Sequence, residues 1–535
     1  MNLLTRIKQH QTECICFAVY IVLAVFGFCV HEMWYDEAQA WQIARTAPFY
    51  DILFVVPHLE GHPPFWHLLL AIPAKLGMYW QWGVSIVGIL FMLANGFLIF
   101  FKAPFPRWVR CLLPFNYFLF YQYGIIVRPY GPLLLVMLLL AIYFPQKDKR
   151  STLYVGLLVA LCACHIFGIA IAGGITLAWL WDLKDHRPWK QYITALLKDS
   201  RFHKLLFLLG FVVVLFLEMK QTDGVLDRYL AFTRSIFKHL IYVLFALPTE
   251  AVLTNVGNTQ AIMKQYLTWS SLLPAGAIGL LLWTTVLLCL PRKRLLYLVL
   301  PYLCLGTIFL HYISRHHIGI VLILFIWYAW ITLQEFSPAP RLPHAFKSLA
   351  KTLLGLILVF PISWTLYAVC LDYKVVIFPG KQVVAFLEKY NLTGKTIFSS
   401  WDIYMGKNAL QGDPNVLPLA TMLNVFLPHN IIANFNNGSE EAYLINRRST
   451  EDETTQAIIN WRSHGLPDVL LGSAALPMLY NDPDLLNQYH AAFISKLANP
   501  WKFERPSEQE YIIYLHQNLW NDLKEQIIAD SQSHA

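Results

Sequence analysis

The stretch Cys14-Ile-Cys-Phe-Ala-Val-Tyr-Ile-Val-Leu-Ala-Val-Phe-Gly-Phe-Cys-Val30 runs directly into His31-Glu32-Met33-Trp34-Tyr35-Asp36-Glu37-Ala38-Gln39-Ala40-Trp41. The first part is apolar over the length of a membrane-spanning helix, and Arg6 and Lys8 give it a basic N-terminal flank. His31-Glu32-Met33-Trp34 offers no small-residue cleavage site, so the sequence predicts a retained anchor with its N-terminus in the cytoplasm. The acidic and aromatic residues after Val30 then emerge on the outer side.

Composition extends this reading to the whole chain. Of 535 residues, 57% are hydrophobic and only 14% charged, with a mean hydropathy of +0.47. Soluble domains carry about 25% charged residues. A soluble protein, a disordered chain and a nucleic-acid-binding module are excluded, because this much apolar surface needs lipid. Residues 1–370 hold 29 basic and 15 acidic side chains, whereas 371–535 hold 12 and 18. The pI of about 8.8 is therefore the sum of a basic membrane half and a mildly acidic tail. All nine cysteines lie in apolar runs or at their edges, which argues against a disulfide framework and against a cysteine metal site.

Further apolar runs fall at 83–101, 111–127, 130–145, 152–165, 167–181, 205–217, 271–290, 295–312, 318–334 and 352–370. The basic loops 102–110, 146–150, 182–204, 291–294 and 334–351 are expected on the cytoplasmic side. That parity predicts a polytopic α-helical membrane protein of about 11–13 spans over 1–370. The tail, 371–535, is expected to be a small extracytoplasmic α/β domain. The apolar segment 63–79 breaks the parity if it crosses, so it reads as an interfacial or re-entrant helix. The outer loops are then 31–62, the stretch around Arg128, the turn at His165, the long segment 218–270 and 314–317. In the tail, 381–390 has helical spacing, Asn391-Leu392-Thr393-Gly394 is a turn, 395–399 and 468–471 read as strands, and Asn434-Phe435-Asn436-Asn437-Gly438 as loop.

Polar residues of unusual kind gather in those outer loops. Asp36 and Glu37 are adjacent carboxylates among Trp34, Tyr35 and Trp41; desolvation there favours a base, although Asp36 equally suits the start of a helix. Trp34, Trp41 and Trp66 suit either sugar stacking or the interfacial aromatic belt. His62 precedes Pro63-Pro64, a turn into a helix or a catalytic position. Arg128-Pro129-Tyr130 interrupts a long apolar block; an arginine at that depth faces a partner or cavity, or else snorkels to the interface. His165 in His165-Ile166-Phe167-Gly168 suits helix packing or a site. Ser314-Arg315-His316-His317 suits an anion better than a metal, since no acidic residue completes a ligand set.

Together these features resemble the GT-C membrane glycosyltransferases that use polyprenyl-phosphate sugars, a group that includes protein O-mannosyltransferases and aminoarabinose transferases. The resemblance rests on the order of the motifs over roughly 1–370: Trp-Tyr-Asp-Glu-Ala after the first span, Gly-His-Pro-Pro, Arg-Pro-Tyr, His-x-x-Gly and a late Arg-His pair. It implies an inverting glycosyltransferase with Asp36 as general base beside Glu37. Arg128, Arg315, His165, His316 and His62 would hold the donor phosphate, with Trp34, Tyr35 and Tyr130 against substrate. It implies no metal and no other cofactor. The partners would be a polyprenyl-phosphate sugar, a glycolipid, polysaccharide or protein acceptor, and the bilayer. Competing readings are a flippase for a polyprenyl-linked sugar and a transferase using a diphosphate donor. A cysteine-free tail leans toward the bacterial inner membrane; the sequons at Asn391 and Asn437 are of a kind that arises by chance.

Overall fold

The structure is a computed structural model that describes residues 10–184, 187–220, 236–263, 267–289, 292–335, 344–376, 378–399, 419–432, 459–473, 483–496 and 510–533. The expected loop 434–438, the sequon at Asn437 and parts of 218–270 and 334–351 lie outside the described residues.

The main helices are α1 Gln11–Val30, α2 Tyr35–Thr46, α3 Phe65–Lys75, α4 Trp80–Lys102, α5 Tyr130–Tyr143, α6 Ser151–Cys164, α7 Ile166–Lys184, α8 Ser200–Met219, α9 Trp269–Cys289, α10 Arg292–His311, α11 Ile318–Glu335, α12 His344–Lys374, α13 Gly380–Lys389 and α14 Gln517–Ser533. Among the described residues, eight helical segments are long and apolar enough to cross a membrane: Gln11–Val30, Trp80–Lys102, Ile166–Lys184, Ser200–Met219, Ile236–Leu253, Arg294–His311, Arg315–Glu335 and Ile357–Lys374. The chain is thus mainly helical with one small sheet, as a polytopic membrane protein requires.

Three segments differ from or sharpen the sequence expectation. The expected outer loop 218–270 contains the apolar helical segment Ile236–Leu253, whose pattern is broken in sequence by Lys238, His239, Pro248 and Glu250. The run 111–127 is not one α-helix. A short helix, Arg107–Leu112, passes through a 3-10 turn at Leu113–Phe115 into a π-helix over Phe118–Ile125. Pro114 cannot continue the helical ladder, and the Asn116 side chain caps the new start by accepting from the Phe118 N–H. Within 63–79, α3 has 11 residues. At 1.5 Å per residue it covers about 16 Å, too short for a hydrocarbon core of about 30 Å.

The chain forms two compact units. The first comprises residues 1–29, 53–66 and 85–369; the second comprises 30–52, 67–84 and 370–535.

The first unit has two distinct ends. At one, the basic loops are tied together. Arg201 bonds Asp148 at 2.7 Å, and Arg294 bonds Asp182 at 3.0 Å and Glu335 at 2.6 Å. Phe105 packs edge-on against Trp330, and the buried Glu13 of α1 pairs with Arg110 at 2.6 Å. At the other end lie Arg128-Pro129-Tyr130, His165 and Ser314–His317. His165 precedes α7 and Asp182 lies in its last turn, so the ends are about 26 Å apart along that helix. α11 is apolar on every side and almost wholly buried, which makes it the central helix.

Lipid tails are as apolar as leucine, so close backbone approach through small residues has to hold such helices together. A Cβ on Gly174 of α7 would lie 2.3 Å from Pro301 backbone atoms of α10, and one on Gly279 of α9 would lie 1.6 Å from the Phe245 carbonyl.

In the second unit the sheet order is β1-β2-β4-β3: β1 Ile397–Ser399 parallel to β2 Val469–Ser473, then β4 Glu510–His516 antiparallel to both β2 and β3 Tyr489–Lys496. One face packs Phe398, Leu470, Tyr489, Ile512 and Tyr514 into a core capped by Trp461. The helix expected at 381–390 is α13, and the turn after it uses Asn391 at φ +55°, a left-handed conformation that asparagine tolerates.

The glycine contacts give a paired test. Gly174→Val should destabilise the first unit by about 1–3 kcal/mol through overpacking. Gly173→Val, which opens on empty space, should leave the thermal midpoint in detergent unchanged.

Candidate functional site

In the first unit, six of the sequence candidates come together from four separate segments. Gly61 takes the left-handed conformation at φ +67° and ends the short helix Val56–Glu60, so His62 turns off just before Pro63-Pro64. The π-helix Phe118–Ile125 ends in an extended step at Ile126, which brings Arg128 and Pro129 ahead of α5. His165 is a single extended residue between α6 and α7. Ser314–His317 makes one 3-10 turn before α11.

The rings converge. His62 and His165 stand 4.7 Å apart between ring centroids, Tyr130 and His165 5.2 Å, Tyr130 and His316 6.1 Å, and His316 and His317 4.1 Å. The Arg128 guanidinium lies 5.4 Å over the Tyr130 ring, a cation–π contact. Tyr123 packs at a tilt against Tyr130, 4.5 Å between centroids, and donates its hydroxyl to the His316 carbonyl at 2.6 Å. His165, Tyr130, Arg315, His316 and His317 are all buried.

Hydrogen bonds assign the proton on two rings. The Phe167 N–H donates to His165 Nδ1, and the Ser314 N–H donates to His317 Nδ1 at 3.0 Å. An Nδ1 that accepts carries no proton, so each neutral ring keeps its proton on Nε2. Nothing among the described residues hydrogen-bonds His62 Nδ1. Burial first, and the Arg128 charge second, push the His62 pKa down to about 4, so this ring is neutral near pH 7. The pole therefore combines permanent arginine charge with neutral histidine donors, a set suited to a phosphate oxygen. Among the described residues no group of three His, Cys, Asp or Glu side chains is disposed to hold a metal ion.

The acidic candidates lie in the second unit, on the first turn of α2. Trp34 precedes the helix as its N-cap, with Tyr35, Asp36 and Glu37 following. Glu37 is buried, and its carboxylate accepts from the Trp34 N–H at 2.9 Å, closing the helix start. The same Oε2 lies 2.9 Å from His31 Nε2. Asp36 and Tyr35 are half-buried. Two adjacent carboxylates thus differ: Glu37 is committed to the backbone and His31, and Asp36 is the one with solvent access. Trp34, Trp41 and Trp66 are all buried, at 7%, 1% and 5% exposure.

Three contributors, Tyr123, His31 and Asp372, stood out less in sequence. Tyr123 belongs to the histidine pole. His31 and Asp372 bracket the acidic turn, with His31 Nδ1 lying 3.3 Å from Asp372 Oδ2. The one signal was position: His31 directly follows the first span, and Asp372 closes the last.

Compared with known proteins, the chain matches no family model, no curated protein and no solved structure.

Two predictions concern this geometry. A Cβ on Gly168 would lie 2.1 Å from the Leu161 carbonyl oxygen, so Gly168→Ala should open the α6–α7 break at His165 and cost about 1–3 kcal/mol in a thermal melt. The depressed His62 pKa favours folding above the unfolded value of about 6.5. Stability should fall as pH drops from there toward 4, and His62→Asn should flatten that slope when midpoints are measured across pH.

Proposed function

We propose that this protein is an inverting glycosyltransferase that moves a sugar from a polyprenyl-phosphate donor to an acceptor on the outer side of the membrane. On this reading it has the GT-C architecture of about 11–13 spans, sits in the bacterial inner membrane and carries its tail outside. The observation that supports it most is the histidine–arginine pole. Cationic and hydrogen-bond-donating side chains from four segments gather at one end of apolar helices, a combination whose chemistry suits an anion.

The chemistry follows from the residue types. An acceptor hydroxyl attacks the anomeric carbon, forming a C–O bond as the bond from that carbon to the phosphate oxygen breaks. Asp36 takes the hydroxyl proton, and the polyprenyl phosphate leaves with an added negative charge. Arg128 and Arg315, with the Nε2–H groups of His165 and His317, stabilise that charge; fixed donors of this kind need no reorganisation as it develops. His62 and His316 complete the surround, and Tyr130 and Tyr35 supply polar aromatic edges. An apolar cleft of about 480 Å³ between α7, α8 and α10 begins at Ile166, the residue after His165, and is lined by Ile169, Gly173, Val212, Phe216 and Leu303. Such a wall next to an anion-binding pole suits a phosphate carrying a hydrocarbon chain.

The deciding assay uses purified full-length protein in detergent, a panel of radiolabelled polyprenyl-phosphate sugars, and envelope glycolipid, polysaccharide and protein fractions as acceptors. Wild type is expected to transfer label. Asp36→Asn should lower turnover by about 10²–10⁴-fold while still binding donor. Arg128→Ala should lower it by about 10²–10³-fold. Equal turnover by Asp36→Asn would remove that residue as the base. Donor binding with no transfer from any sugar would shift the reading to a flippase or a diphosphate donor.

A further inference from the structure

We propose that His31, bridging Glu37 and Asp372, is the positioning residue that sets the first turn of α2 and with it Asp36; this rests on the reading of Asp36 as the base. His31 Nε2 lies 2.9 Å from Glu37 Oε2, and Nδ1 lies 3.3 Å from Asp372 Oδ2. The three side chains are nearly sealed from solvent, at 9% exposure for His31 and 1% for each carboxylate. Ionised carboxylates only accept hydrogen bonds, so both ring nitrogens must carry protons to serve both. A neutral ring has one donor and would turn a lone pair toward the other carboxylate. The bridge is therefore built for the imidazolium. Burial opposes that charge, but Glu37 and then Asp372 outweigh it and hold the His31 pKa at about 10.

The bridge acts on the turn that bears the base. Glu37 is simultaneously the acceptor for the Trp34 N–H, and the Glu37 and Ala38 N–H groups both donate to the Trp34 carbonyl at 3.0 Å. Upstream, Glu32 accepts from the Phe378 N–H at 3.0 Å. Residues on both sides of Asp36 are thus tied, and the tie from Glu37 runs through His31 to the end of α12. Successive helix positions are about 100° apart, so locking Glu37 inward fixes a different direction for Asp36. Among the described residues, the carboxylates of Glu37 and Asp372 are in contact with His31, and Glu32 and Asp36 are its acidic chain neighbours.

Two variants test this in the full-length protein. His31→Gln keeps an amide donor but removes the charge, and Asp372→Asn keeps shape but removes one anion. In both, amides of the α2 first turn should exchange with deuterium at least about tenfold faster, with strands β2 and β4 unchanged. The kcat for transfer should fall about 10- to 100-fold, as a misplaced reacting group does, with KM for donor within about twofold. In Asp372→Asn the alkaline limb of the kcat profile should move down by about one pH unit or more, because the imidazolium has lost an anion. Unchanged exchange in both variants would overturn the bridge as the lock on this turn, whatever the turnover. Faster exchange with wild-type kcat and an unmoved alkaline limb would overturn the positioning role. Absence of turnover in wild type removes the base reading, and the positioning role with it; the exchange data tell that failure apart from failure of the bridge.

Discussion

Two arginines and four histidines at one end of a bundle of apolar helices are unfavourable in lipid unless something negative or strongly hydrogen-bonding meets them. The first unit is arranged around this concentration. Each contributing side chain sits where regular helix stops: after the left-handed Gly61, after the π-helix at Phe118–Ile125, at the extended His165, and in the 3-10 turn before α11. Backbone irregularity at membrane depth is tolerable only where its polar groups find partners. Here two histidine rings take up backbone N–H groups through Nδ1, which satisfies the break and fixes the tautomer together.

The opposite end shows the complementary solution. Its charges neutralise one another within the protein, as Arg294 does between Asp182 and Glu335, and Arg110 does with the buried Glu13. A polytopic protein built from leucine-rich helices has little hydrophobic drive to choose helix neighbours. Glycine contacts such as Gly174 on Pro301, and ion pairs at the helix ends, supply the register instead.

In the second unit the same logic operates on acids. Glu37 is fully engaged by the Trp34 N–H and His31, which leaves Asp36 as the carboxylate with solvent access on that turn. Chemically alike neighbours are divided by their burial. The short helix Leu419–Asn424 and the turn after it add a second tie, since Arg45 near the end of α2 donates to the carbonyls of Asn424 and Leu427.

Much was legible without coordinates. Hydropathy and loop charge marked a helical membrane protein with a polar tail, because apolar runs of span length have no other stable setting. Arg128, Tyr130, His165, Arg315 and His316 were readable because polar residues between apolar runs are conspicuous. α13, β1 and β2 followed from short-range periodicity, whereas the helical segment Ile236–Leu253 was obscured by its own Lys, His, Pro and Glu. Which candidates share a site was decided only by tertiary structure, for contacts such as that between His62 and His165 join residues a hundred positions apart. The different burial of Asp36 and Glu37 was equally invisible, since burial and the contact of His31 with Asp372 are properties of packing. Local sequence carries hydropathy and helix-breaking chemistry, but convergence depends on long-range approach, and one chain read in a line holds no direct record of that.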